Sequence, residues 1–79
     1  MIYLMGMKLV SAREQDLMDV ADILKKSESL QPFELFSDLA EMSFDVDIAM
    51  LLDAFERARG MEWLETFYKD NEEELRGYF

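Results

Sequence analysis

The sequence predicts an all-α fold, a small bundle of about five short helices forming one helical domain over residues 1–79. Three observations carry this reading. Apolar residues recur at three- and four-residue spacing, as in Leu17, Val20, Ala21 and Leu24 or Ile48, Leu51, Leu52 and Phe55, which places each set on one helix face. Helix punctuation falls between those runs, at Pro32, Gly60 and Asn71, residues suited respectively to a first turn, a stop and a cap. The apolar fraction is 51%, and six Phe, three Tyr and one Trp supply bulky fillers for an interior.

Each element has its own justification. Tyr3, Leu4, Met7 and Val10, with Met1 before them, follow a helical period, so a first helix is expected over about residues 3–11 and is expected to fold down over its neighbours. An extended start at Ile2 and Tyr3 is the alternative, and Gly6 weakens the helix. Ser11 with Glu14 three residues later has the spacing of a capping box, opening a second helix over about 13–26. Its stripe is Leu17, Val20, Ala21 and Leu24, and Asp16, Asp19 and Asp22 take the other side. Lys26 stands four residues after Asp22, where an ion pair forms on a helix surface, and Lys25 and Lys26 complement the negative end of the dipole.

Ser27 to Gln31 is a polar break. Pro32 then opens a third helix over about 32–42, with Phe33, Phe36, Leu39 and Ala40 facing inward. Ser43 or Asp45 can cap a fourth over about 46–59, buried through Ile48, Leu51, Leu52 and Phe55, and Gly60 ends it. A fifth begins near residue 61 with Leu64, Phe67 and Tyr68, followed by Leu75, Tyr78 and Phe79; Asn71 with Glu74 allows a break near Asp70. Met5, Met7, Met18, Met42, Met50 and Met61 are spread over several helices, which favours core filling over a methionine-lined groove.

Composition restricts the chemistry. With 18 acidic and 8 basic residues the formal charge is −10, so the average field repels phosphate backbones and anionic headgroups. Direct nucleic-acid binding and membrane association are therefore not expected. The absence of Cys and His removes disulfides, Cys/His metal sites and Ser-His-Asp or Cys-His catalysis. No metal site and no cofactor are expected. Met1 to Val10 is nearly all apolar, yet a spanning helix needs about 20 residues, and a signal peptide needs a basic start and a small-residue cleavage site that are missing here. A cytoplasmic location is the default expectation. A core of this size supplies only about 3 to 5 kcal/mol, so a protein partner or homo-oligomer is the remaining source of support.

Within residues 7–20, Lys8, Arg13, Asp16 and Asp19 sit at fixed offsets among Met7, Leu9, Ala12 and Val20. This segment resembles part of the C-terminal helical region of the AbiEii-like and DUF6036-type nucleotidyltransferases of bacterial toxin–antitoxin and phage-defence loci. The resemblance implies a nucleotide-binding set in which Lys8 neutralises triphosphate oxygens and Arg13 and Asp16 position it, with Asp19 a weaker counterpart. Such enzymes carry a Gly-Ser motif on a strand-to-helix turn, followed by an Asp-x-Asp pair that holds divalent ions. Asp45-Val46-Asp47 spells the pair, but no Gly-Ser precedes it, and at a helix start capping is the expected role. Taken from the residues alone, Lys8 is a snorkelling lysine paired with an acidic neighbour.

Two functions follow as expectations. The first is a non-catalytic helical interaction or accessory domain, resembling the C-terminal part of a nucleotidyltransferase-like protein and meeting its partner through Leu4, Tyr78 and Phe79. No catalytic residue is assigned. The alternative is one half of a split nucleotidyltransferase, contributing Lys8 and Arg13 to a nucleotide site completed by another chain.

Overall fold

A computed structural model describes residues 2–11 and 13–78, and within them six helices follow one another: α1 (Ile2–Ser11), α2 (Glu14–Lys25), α3 (Pro32–Glu41), α4 (Ile48–Arg59), α5 (Met61–Asp70) and α6 (Glu72–Arg76). No strand occurs among the described residues. The all-α bundle is as expected, and the fifth predicted helix is divided at Asn71. Helices α2 and α4 form the central pair; α1 packs on α2 and α3, α3 also on α4, α5 on α4, and α6 on α5. One core joins them, with Val20, Leu24, Leu35, Leu39, Leu51 and Phe55 excluded from solvent.

The stripes expected on α2 and α4 are the buried ones: Leu17, Val20, Ala21 and Leu24 on the first, Ile48, Leu51, Leu52 and Phe55 on the second. The first helix buries the opposite side from its expected stripe. Met5, Gly6 and Leu9 face inward, whereas Tyr3, Leu4, Met7 and Val10 are 50–60% exposed. Because α1 is apolar nearly all round, periodicity does not choose its face. Two tertiary contacts do. The ring of Phe44 occupies the space a side chain at residue 6 would need, so only the glycine side can approach the turn, and Lys8 points to acidic groups on α2.

On α3, Pro32, Leu35 and Leu39 are buried, while Phe33 and Phe36 are half-buried and Ala40 is exposed. The two Phe rings are turned instead toward α5 and the chain end: Phe33 lies 5.3 Å from Phe67, and Tyr78 stacks on Phe33 at 5.6 Å and meets Phe36 edge-on at 5.3 Å. Methionine fills less of the core than expected. Met5 is fully buried and Met50 partly, but Met7, Met18, Met42 and Met61 are 42–55% exposed.

The caps also depart from expectation. Ser11 ends α1, so it forms no capping box; Arg13 precedes α2 without a side-chain cap, and Glu14 instead pairs with Arg57 of α4. Asp47, rather than Ser43 or Asp45, caps α4, its Oδ1 accepting from the Ala49 amide at 2.9 Å. Ser43 takes a positive φ of 66° in the turn. Gly60 stops α4 at φ 96°, a conformation that glycine adopts without steric cost. Asp22 pairs with Lys25 at 3.9 Å, since Lys26 already lies in the cap of α2. Asn71 breaks the last helix by donating from its amide nitrogen and Nδ2 to the Phe67 carbonyl, without capping α6 through its side chain. Met1, Ala12 and Phe79 lie outside the described residues.

Candidate functional site

The crossing of α1 over α2 brings together part of the residue set that the sequence singled out. Lys8 Nζ donates to Asp19 Oδ2 at 2.8 Å and lies 3.8 Å from Asp16 Oδ1, while Gln15 Nε2 donates to Asp19 Oδ1 at 3.0 Å. All three charged side chains are partly shielded, at 25% exposure for Lys8, 19% for Asp16 and 34% for Asp19. The Asp19 hydrogen bond, helped by the charges of Asp19 and Asp16 against a desolvation cost, holds the Lys8 pKa above its ordinary value. The same bond, with that from Gln15, holds the Asp19 carboxyl below the usual range.

Arg13 does not join them. It is exposed at the start of α2, where its carbonyl accepts from the Leu17 amide at 2.9 Å, and it makes no ion pair among the described residues. Chemically the cluster is an ammonium held by two carboxylates, so a phosphate reaching Lys8 must compete with Asp19 and Asp16. Asp47 of the Asp-x-Asp sequence is engaged as a helix cap. Among the described residues, no group of three or more carboxylates is arranged to hold a metal ion.

The three partner-binding candidates fare differently. Leu4, 50% exposed, belongs to a continuous outer face of α1 with Tyr3, Met7 and Val10. Tyr78 is 44% exposed but packs on the aromatic side of α3, against Phe33 and Phe36. Phe79 is outside the described residues. Tyr3, Leu4, Met7 and Val10, the stripe expected to face inward, face outward; the signal for this is the glycine at position 6, which identifies the side of close approach.

A second arrangement escaped the sequence reading. Arg59, at the end of α4, donates from Nη2 to the carbonyls of Ser27 and Glu28, both at 3.1 Å, and its guanidinium lies 4.8 Å from the Phe55 ring centroid and 5.2 Å from that of Trp63. Burial pushes its pKa down. Its spacing, four residues after Phe55 and four before Trp63, is the sequence signal for such stacking. A shallow cavity of about 510 Å³ lies beside it, lined by Leu24, Lys25, Glu28, Gln31, Ala58 and Trp63. Another ionic contact, Arg57 to Glu14 at 2.5 and 3.1 Å, links α4 to the start of α2 across 43 residues of sequence. It holds the Glu14 carboxyl below its ordinary pKa.

The fold defines a small all-α domain. Comparison with family models, curated proteins and solved structures finds no match. Among the described residues, no helix is long and apolar enough to cross a membrane.

Proposed function

We propose that this chain is a non-catalytic helical interaction domain that docks another protein through the outer face of α1, the accessory role implied by its resemblance to the C-terminal helical region of AbiEii-like nucleotidyltransferases. One observation carries the reading: Tyr3, Leu4, Met7 and Val10 are each at least half exposed on one side of a single helix. Scattered apolar residues are ordinary on protein surfaces, whereas contiguous ones mark contact sites. The absence of cysteine suits a cytoplasmic setting. The half-enzyme alternative is less well supported, because it needs Lys8 for a phosphate while Lys8 is held by Asp19 and Asp16.

Leu4→Glu and Met7→Glu test the reading. Both are expected to fold like the wild type by circular dichroism, since neither side chain is in the core, and to lose association with partner protein in sedimentation and affinity capture. Retention of all association by both variants overturns it.

A further inference from the structure

Resting on that reading, we infer that the occupant of the α1 face is an amphipathic helix from a different protein, basic along the flank that meets α2, rather than a second copy of this chain. The argument is one of charge. Helix α1 contains no carboxylate, and its one charged residue, Lys8, is already held by Asp19 and Asp16, two acids to one cation. The apolar face is thus bordered on the α2 side by a net negative cluster that reaches solvent. On α3, the helix that packs along α1's other side, Phe33 and Phe36 take the flank toward α5 and Tyr78. Beside that helix the border is aromatic, where Phe44 covers Gly6 and meets Tyr3 edge-on at 5.5 Å. An apolar strip with an acidic border on the α2 side fits a helix with an apolar ridge and Lys or Arg along the flank that meets that border.

A second copy fits poorly. Every chain carries −10, so pairing brings like charges together around the contact. A partner helix longer than α1 gains apolar burial on Leu4 and Met7 and then reaches the bordering carboxylates. The thioether of Met7 adapts to ridges of varied shape.

The test uses two synthetic helical peptides of about five turns with the same leucine ridge, one flanked by Lys and Arg, the other by Glu. Fluorescence anisotropy with the full chain is expected to show the basic peptide binding at least roughly ten-fold more tightly, less tightly at about 0.15 M salt than at low salt. Met7→Glu is expected to weaken it roughly ten-fold, and Met61→Glu, an equally exposed site on α5, to leave it unchanged. Leu4→Ser serves if Met7→Glu misfolds. Equal binding of both peptides, or equal damage from Met61→Glu, overturns the inference. So does a wild-type dimer that tightens with salt and excludes the peptide, which assigns the face to a second copy. If α1 variants abolish capture of a partner yet the basic peptide fails to bind, this inference falls and the interaction function stands; if they change neither, both fall.

Discussion

The ring of Phe44 lies over Gly6 so closely that a Cβ built on residue 6 would be 2.5 Å from Phe44 Cδ2. Phe44 follows the turn after α3, its amide donating to the Leu39 carbonyl at 3.0 Å, and its ring also meets Tyr3 edge-on at 5.5 Å. In an ordinary helix, Gly→Ala gains up to about 1 kcal/mol. Here overpacking, which costs about 1–3 kcal/mol, opposes that gain. Gly6→Ala is expected to lower unfolding stability in urea, and Phe44→Leu in the same background to recover part of the loss. A more stable Gly6→Ala would show the contact to be loose.

Acid should weaken the joints of α2 with α1 and α4. Asp19 and Glu14 have folded pKa values depressed from their ordinary 3.8 and 4.5, chiefly by hydrogen bonds from Lys8 and Arg57. A depressed carboxyl contributes stability that is present above its unfolded pKa and lost as pH falls through the lower folded value. The melting temperature is therefore expected to fall as pH drops below about 4, and Asp19→Asn to flatten part of that fall. Lys8 has the opposite sign: its contribution is present at neutral pH and lost only as pH rises through a value above 10.5. An acid profile unchanged in Asp19→Asn would mean that the pair adds no stability.

Arg59 fastens the connection between α2 and α3 to the end of α4. Arg59→Met removes the hydrogen bonds to the Ser27 and Glu28 carbonyls, at an expected cost of about 1.5–3 kcal/mol for a charged donor. Amide exchange should quicken at Leu30, whose N–H bonds to Ser27 O at 3.0 Å. Arg59→Lys should recover only part of the loss, lacking the planar fork that both meets carbonyls and stacks on rings. Unchanged exchange at Leu30 in Arg59→Met would remove this role.

Magnesium and a nucleoside triphosphate are expected to leave the melting temperature of the isolated chain unchanged, in the wild type and in Lys8→Ala alike. Saturation at a hundred times the dissociation constant would add about 2.7 kcal/mol, a shift plain to see in a domain this small. A rise in the wild type that disappears in Lys8→Ala would restore the half-site alternative.

The sequence and the structure agree where the signal is local. Pro32, Gly60 and Asn71 mark element ends that can be read from backbone chemistry, and α2 and α4 show one apolar side each. Helix α1 was legible as a helix but not in its orientation, because residues 2–7 are apolar on every side and the deciding contact, Phe44, is remote in sequence. Pairing of Lys8 with an acid was legible from side-chain chemistry; that Asp19 is the nearer partner depends on how α1 crosses α2. Ser11 and Glu14 show how a tertiary bond can override a local motif, since Arg57 takes the carboxylate that a capping box needs.

The single tryptophan stands where three of these joints meet. Trp63 is stacked with Phe55 of α4 at 5.5 Å and with Phe67 of its own helix at 5.4 Å, and Arg59 lies over its ring. The molecule thereby carries its own optical gauge: parting α5 from α4, or releasing the α2–α3 connection, changes what surrounds the indole and so its emission. Occupation of the outer face of α1, a helix seated on α2 and α3, should leave that light largely as it was, so unfolding and binding can be told apart in one unlabelled sample.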